Sequence, residues 1–198
     1  MDGFPKKDEL IVHFAHPAYQ FGSCVESRDP SLNFIETRTH QETSARINEG
    51  HVLVVTGLWK NAYIEAGVNL KFIQACGAGY NQFDLDALAT AGLRFANASG
   101  VNVNAVSDHA IALMLGLVRK IHHARDNQHA KCWRGMISDI SQREAELAGK
   151  TLIIFGMGAI GSRLAKLAIA FDMKVIGIRR NIDPIKGLVD EAYTPERF

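Results

Sequence analysis

Cysteine is scarce: Cys24, Cys76 and Cys132 are the only three, set far apart and in no C-x-x-C pair. That argues against a disulfide framework and a zinc knuckle, and it makes a reducing cytoplasm the expected setting. Excess charge of one sign is also missing. Lys plus Arg number 22 and Asp plus Glu 21, a net charge of +1, which gives no bulk field to recruit nucleic acid or an anionic membrane. Long apolar runs are absent as well. Ala110–Val118 and Leu152–Gly161 are too short to span a bilayer, and MDGFPKKDEL at the start has acidic residues and no apolar targeting core, so no targeting segment is expected. Internal repeats and low-complexity tracts are not found. Without G-x-S-x-G, a P-loop or H-E-x-x-H, the usual signatures of a nucleophilic hydrolase, an NTPase or a zinc protease are lacking.

With 47% hydrophobic and 22% charged residues, the composition is that of an ordinary globular chain. Strand-like runs fall at Leu10–Phe14, Val52–Thr56, Leu70–Cys76, Leu93–Ala96, Thr151–Phe155 and Lys174–Ile178. They are short, continuous and apolar, as in a parallel sheet covered on both faces. Helical patterns lie between them at Thr39–Asn48, Asp84–Thr90, Ala105–His123 and Ser162–Phe171. Thr39 with Glu42 reads as a capping box, Asp84 as an N-cap and Gly92 as the glycine just past a helix end. The alternation defines an α/β chain. Its expected division is 1–104 and 105–198. Ala105–His123, apolar nearly all round, is expected to be buried between the two parts. His122–Lys150 reads as a polar connection. The second part shows two clear strands, so it is expected to be the first half of a Rossmann domain, incomplete at its end and with an open sheet edge.

The sharpest motif is Gly156, Gly158 and Gly161, a G-x-G-x-x-G that follows the strand Leu152–Phe155 and opens a helix through Ala159 and Ile160. The first glycine permits the turn, the second lets a pyrophosphate approach the backbone, and the third allows helix to pack on strand. Free N–H groups at the helix start then hold the phosphates. At the end of the second strand, where NAD-binding proteins place an acidic residue, stand Arg179 and Arg180. Guanidinium groups suit a 2′-phosphate, which favours NADP while leaving NAD open; the alternative is a pair of solvated surface arginines.

A second turn, Gly77-Ala78-Gly79, has the composition of an anion-binding loop suited to a carboxylate, and equally that of a plain strand-to-helix turn. Asn102 and Asn104 are candidates to donate into a cleft, or to cap a local turn. His109 reads as a core or interface histidine. The adjacent His122 and His123 point to different helix faces and make a poor metal pair, so no metal site is expected.

The segments KFIQACGAGYNQFD, NASGVN and ELAGKT, with the apolar helix after Ala105 and Trp133 in the connection, resemble the D-isomer-specific 2-hydroxyacid dehydrogenases. The likeness covers most of the chain and is strongest from Leu70 onward. It implies a flavodoxin-like substrate domain followed by a dinucleotide-binding domain, homodimers formed around the latter, and hydride transfer between a nicotinamide and C2 of a 2-keto or 2-hydroxy acid. By that resemblance Ala78 and Gly79 offer N–H groups to the substrate carboxylate and Asn102 lines the cleft. Asn81 stands where the family often has Asp, and Asp108 where it often has Glu. The family's catalytic Arg, Glu and His lie downstream of the second Rossmann strand, and no residue after Arg180 matches them. The chain is therefore expected to be a fragment with no catalytic residues of its own. A reading of another class is a non-catalytic dinucleotide-sensing or protein-interaction module, which fold alone does not separate from an enzyme.

Overall fold

The computed structural model describes residues 3–198, and the chain divides into two compact units, Met1–Val101 and Asn102–Phe198. The first unit contains β1 (Ile11–Ala15), α1 (Gly22–Arg28), β2 (Asn33–Thr37), α2 (His40–Arg46), β3 (Val52–Val55), α3 (Tyr63–Ala66), β4 (Phe72–Ala75), α4 (Leu85–Thr90) and β5 (Arg94–Ala96). All five strands are parallel, in the order β2-β1-β3-β4-β5, which is the flavodoxin-like order. Chain direction across the sheet reverses between β1 and β3, the kind of place where open α/β sheets bind ligands.

Local chemistry sets these elements. The Thr39 hydroxyl accepts from the Glu42 N–H while the Glu42 carboxylate accepts from the Thr39 N–H, a complete capping box for α2. Asp84 caps α4 by accepting from Ala87 N–H at 3.0 Å, and Gly92 follows its end with φ +70°. Leu53 and Ile73 are fully buried on the central strands, in one core with Trp59, Tyr63, Phe83 and Leu88. β2 is an addition to the sequence reading. Its residues NFIET alternate between exposed and buried because it is an edge strand, and alternation hides it from a search for continuous apolar runs.

The second unit contains α5 (Val103–Val118), α6 (Ile121–His129), β6 (Thr151–Phe155), α7 (Ala159–Ala170), β7 (Lys174–Ile178) and β8 (Glu191–Tyr193). Its sheet is parallel in the order β6-β7-β8, so it has three strands and not the expected two. The third is short and partly polar. Asp190 fixes its approach by accepting from Val175 N–H, and Lys174 pairs with Glu191.

The helix expected over Ala105–His123 is broken. Lys120 takes φ +50°, and there the chain turns into α6, which runs past the expected end at His123 into the stretch read as a connection. No glycine or proline marks the break. It is held instead from the loop ahead of β6, where Gln142 O accepts from Lys120 Nζ and Ala145 O from Arg119 Nη1. Nor is α5 buried nearly all round, as its composition implied. Ser107 and Ile111 are buried, but Leu113 is 56% and Leu117 69% exposed, and His109 is exposed and not a core residue. One face packs on α7 within the second unit, where Arg163 Nη1 donates to Ser107 Oγ and Asp108 Oδ1, both at 2.6 Å. α5 is therefore an element of this unit's own core, which also takes in Met114, Leu115 and Val118.

Candidate functional site

Polypeptide geometry at the second unit's glycine turn gives each glycine a separate task. Gly156 has φ +102°, in the left-handed region where a side chain is strained. A Cβ on Gly161 would lie 2.4 Å from Gly156 O and 3.1 Å from Ile154 Cγ2, so only glycine lets α7 start this close to β6. Gly158 is the N-cap residue of α7 and a Cβ there would meet nothing within 4 Å, which leaves its backbone open to an approaching group. Among the described residues no side chain caps this end, so the N–H groups of the first turn, Ala159, Ile160 and Gly161, are not taken by a cap and carry the positive end of the helix. The donor set, the open backbone at Gly158 and the close approach at Gly161 fit a pyrophosphate.

Arg179 follows β7 and reaches this loop. Its Nη1 donates to Met157 O at 3.0 Å, and Met157 itself is fully buried beneath the turn. The side chain is half-buried, while Arg180 beside it is exposed. Arg179 is thus brought to the same place as Gly156, Gly158, Ala159, Ile160 and Gly161.

In the first unit, Ala78 and Gly79 lie in the exposed turn after β4. Neither Gly77 nor Gly79 has a positive φ, and an added Cβ on either would meet nothing within 4 Å. The turn is held through its carbonyls: Gly77 O accepts from Ala98 N–H at 3.0 Å and Ala78 O from Asn97 Nδ2 at 2.7 Å. The N–H groups of Gly77, Ala78 and Gly79 have no partner among the described residues. Three consecutive donors are therefore presented while the neighbouring acceptors are tied down, an arrangement that suits an anion. Asn102 belongs to the second unit, where it is the N-cap residue of α5; its carbonyl accepts from Val106 N–H and its side chain makes no cap bond among the described residues. Asn104 is inside α5 and its carbonyl accepts from Ser107 Oγ.

Sequence reading passed over two histidines of the first unit. His13 is fully buried on β1. Thr43 Oγ1 donates to Thr39 O, so Thr37 Oγ1 must donate to Thr43 and His13 Nε2–H to Thr37, at 2.9 and 2.8 Å. Nδ1 is then bare and without a partner, and burial, aided by Arg46 and opposed by Glu49, lowers the His13 pKa to about 4. His16 is the first residue beyond β1. Its Nδ1 accepts from Ala18 N–H and Tyr19 N–H at 3.1 and 2.8 Å, which puts its proton on Nε2. Burial and then Arg38 lower its pKa. The one clue in the sequence was its place, directly after a strand and before Pro17.

Among the described residues no group of three or more His, Cys, Asp or Glu is placed to hold a metal ion, and no helix is long and apolar enough to cross a membrane.

A parallel sheet joined through a left-handed glycine to an uncapped helix defines a dinucleotide-binding α/β unit. Residues 111–197 match the family described as D-isomer specific 2-hydroxyacid dehydrogenase, NAD binding domain. The chain is 36% identical over 146 residues to a hydroxypyruvate reductase of Thermotoga maritima, covering 73% of this chain and 45% of that one. It is 38% identical over 114 residues to a D-3-phosphoglycerate dehydrogenase of Archaeoglobus fulgidus, covering 57% and 21%. The chain thus spans less than half the length of these curated relatives. Among solved structures, a glyoxylate reductase from Paecilomyes thermophila superposes with a TM-score of 0.75 at 25% identity, over 94% of this chain and 60% of that one. A D-lactate dehydrogenase from Aquifex aeolicus, complexed with NAD and lactic acid, shares the fold with a TM-score of 0.77 at 20% identity, over 92% and 55%.

Proposed function

We propose that this chain carries the carboxylate-binding and dinucleotide-binding parts of an NAD(P)-dependent 2-hydroxyacid dehydrogenase. The observation that carries the reading is the presence in one chain of two anion-binding turns with different builds: the uncapped, glycine-cleared start of α7, and the three unpartnered N–H groups of Gly77, Ala78 and Gly79. The nicotinamide cofactor, when bound, supplies the hydride exchanged with C2 of the acid. The chain's own residues bind and orient. Gly156, Gly158, Ala159, Ile160 and Gly161 hold the pyrophosphate, and the Ala78 and Gly79 N–H groups hold the carboxylate. Arg179, already aimed at the glycine turn, receives a 2′-phosphate together with Arg180, so NADP is preferred over NAD.

No histidine follows His129 in this sequence, and we read the 198 residues as binding without turnover. A positioned general acid typically contributes about 10² to 10⁴-fold in rate. The partner of the second unit is a second copy of the chain. This is supported by its exposed apolar residues, Leu113 and Leu117 on α5 and Trp133, 98% exposed, in the segment after α6. The test is titration of the purified chain with NADPH and NADH, followed by assay with glyoxylate or hydroxypyruvate. Saturable binding with no turnover supports the reading. Binding of neither cofactor would overturn it, and turnover above background would overturn the assignment of binding alone.

A further inference from the structure

The carboxyl ends of the first unit's strands form one row. Register aligns Thr37, Ala15, Val55 and Ala75 across β2, β1, β3 and β4, so the residues that follow, Arg38, His16, Thr56 and Cys76, stand side by side, with Asn97 beyond β5. Nearly every polar group in this row is already engaged. Thr56 Oγ1 donates to Val55 O and accepts from Cys76 N–H at 2.9 Å. Asn97 donates to Ala78 O and accepts from Ser99 N–H. Arg38 donates to Tyr19 O at 2.8 Å and pairs with Glu36, whose Oε1 also accepts from Phe21 and Gly22 N–H.

Two sets of donors remain. One is the Gly77–Gly79 turn. The other is His16 Nε2–H, which has no partner among the described residues and is not among their buried unpaired atoms. The imidazole is held in place: two backbone N–H groups grip Nδ1, the Tyr19 ring stacks on it at 4.0 Å and 3°, and Phe21 meets it edge-on. Between the two donor sets lie the satisfied Thr56 hydroxyl and the half-buried Cys76 thiol, a floor with little left to offer a ligand.

We infer that His16 is a specificity-determining residue, its Nε2–H donating to an oxygen on C3 or C4 of a 2-keto acid whose carboxylate rests on Gly77–Gly79. This deepens the proposed function and rests on the carboxylate reading of that turn. β1 and β4 are two strand spacings apart, about 10 Å. On that scale, bridging from the turn toward His16 takes a three- or four-carbon acid with a distal oxygen, closed by a hydrogen bond of about 2.9 Å at each end. An acid without that oxygen leaves His16 unpaired.

The test is amide-resolved NMR of the chain titrated with pyruvate and with 3-hydroxypyruvate, which differ by one hydroxyl. Both acids are expected to shift the Gly77, Ala78 and Gly79 amides, with hydroxypyruvate binding about fivefold tighter, the size of one neutral hydrogen bond. His16→Ala is expected to bring the affinity ratio to about one, and His16→Asn, which keeps an N–H donor, to retain part of it. A wild-type ratio of one, or a preference that persists in His16→Ala, overturns the role of His16 alone. Failure of both acids to move the turn overturns the carboxylate reading, and this inference with it.

Discussion

Gly77–Gly79 and Gly156–Gly161 are both glycine turns that lead from a parallel strand toward a helix, and they use glycine for opposite reasons. At 156–161 the backbone demands it: φ is +102° at the first position, and a Cβ at the last would stand 2.4 Å from a carbonyl oxygen. At 77–79 no angle and no neighbour requires it, and the turn owes its donors to Asn97 and Ala98, which tie down the carbonyls. The first turn is sterically specified; the second is specified by hydrogen bonds from outside itself. Sequence spacing reveals the first kind much better than the second.

Gly161→Ala is the substitution expected to show the contrast most strongly. Overpacking against backbone cannot relax by a side-chain rotation, so a loss of about 3 kcal/mol in the second unit's stability is expected, with dinucleotide binding lost as well. A chemical-denaturation curve beside a cofactor titration checks both. An unaltered curve would mean that β6 and α7 are farther apart than described.

Acid is expected to separate the two units in the other direction, because the buried His13 belongs to the first. Its native pKa of about 4 lies below the unfolded value near 6.5, so the unfolded chain binds the extra proton between these pH values. Stability is full above about pH 6.5 and falls as pH drops toward 4, by at most about 3 kcal/mol. Trp59, in the first unit's core, reports the unfolding by fluorescence. Equal denaturation midpoints at pH 7 and pH 4.5, with and without His13→Asn, would remove His13 from the account.

Arg179→Asp is expected to act on cofactor choice. Charge-assisted bonds contribute roughly 1.5–3 kcal/mol, so the unaltered chain should favour NADPH by at least about tenfold and the variant should reverse the ratio. The bond to Met157 O is lost in the same change, so NADH affinity serves as the control for damage to the glycine turn. An unchanged ratio would make Arg179 a tether for that turn only.

The smallest effect is expected at Gly79→Ala. With open space around the Cβ and no left-handed φ, stability should change by less than about 1 kcal/mol, toward gain, since alanine restricts the unfolded chain. Thermal melts measure it. A large loss would show that the two glycine turns are built alike after all.

The parts legible in sequence were those where one local force dominates. β6 and β7 are continuous apolar runs and lie at the expected residues; the caps at Thr39, Asp84 and Gly92 have short-range signatures and formed. β2 and β8 were missed because edge strands carry polar residues, and the break at Lys120 because it is imposed by carbonyls more than twenty residues away. α5 looked buried because composition counts apolar residues without showing which face has a neighbour. The glycine fingerprint could be read residue by residue. The donors at 77–79 and the fixed tautomer of His16 depend on which carbonyls and ring nitrogens are already occupied, and that is visible only once the chain is folded.

The central claim, a dinucleotide-binding unit joined in one chain to an acid-binding turn, is tested most directly by calorimetric titration of the folded chain with NADPH, with Gly161→Ala as control. Saturable one-to-one binding that the substitution abolishes is expected. Absence of binding by a chain whose Trp59 fluorescence and circular dichroism show it to be folded would contradict it.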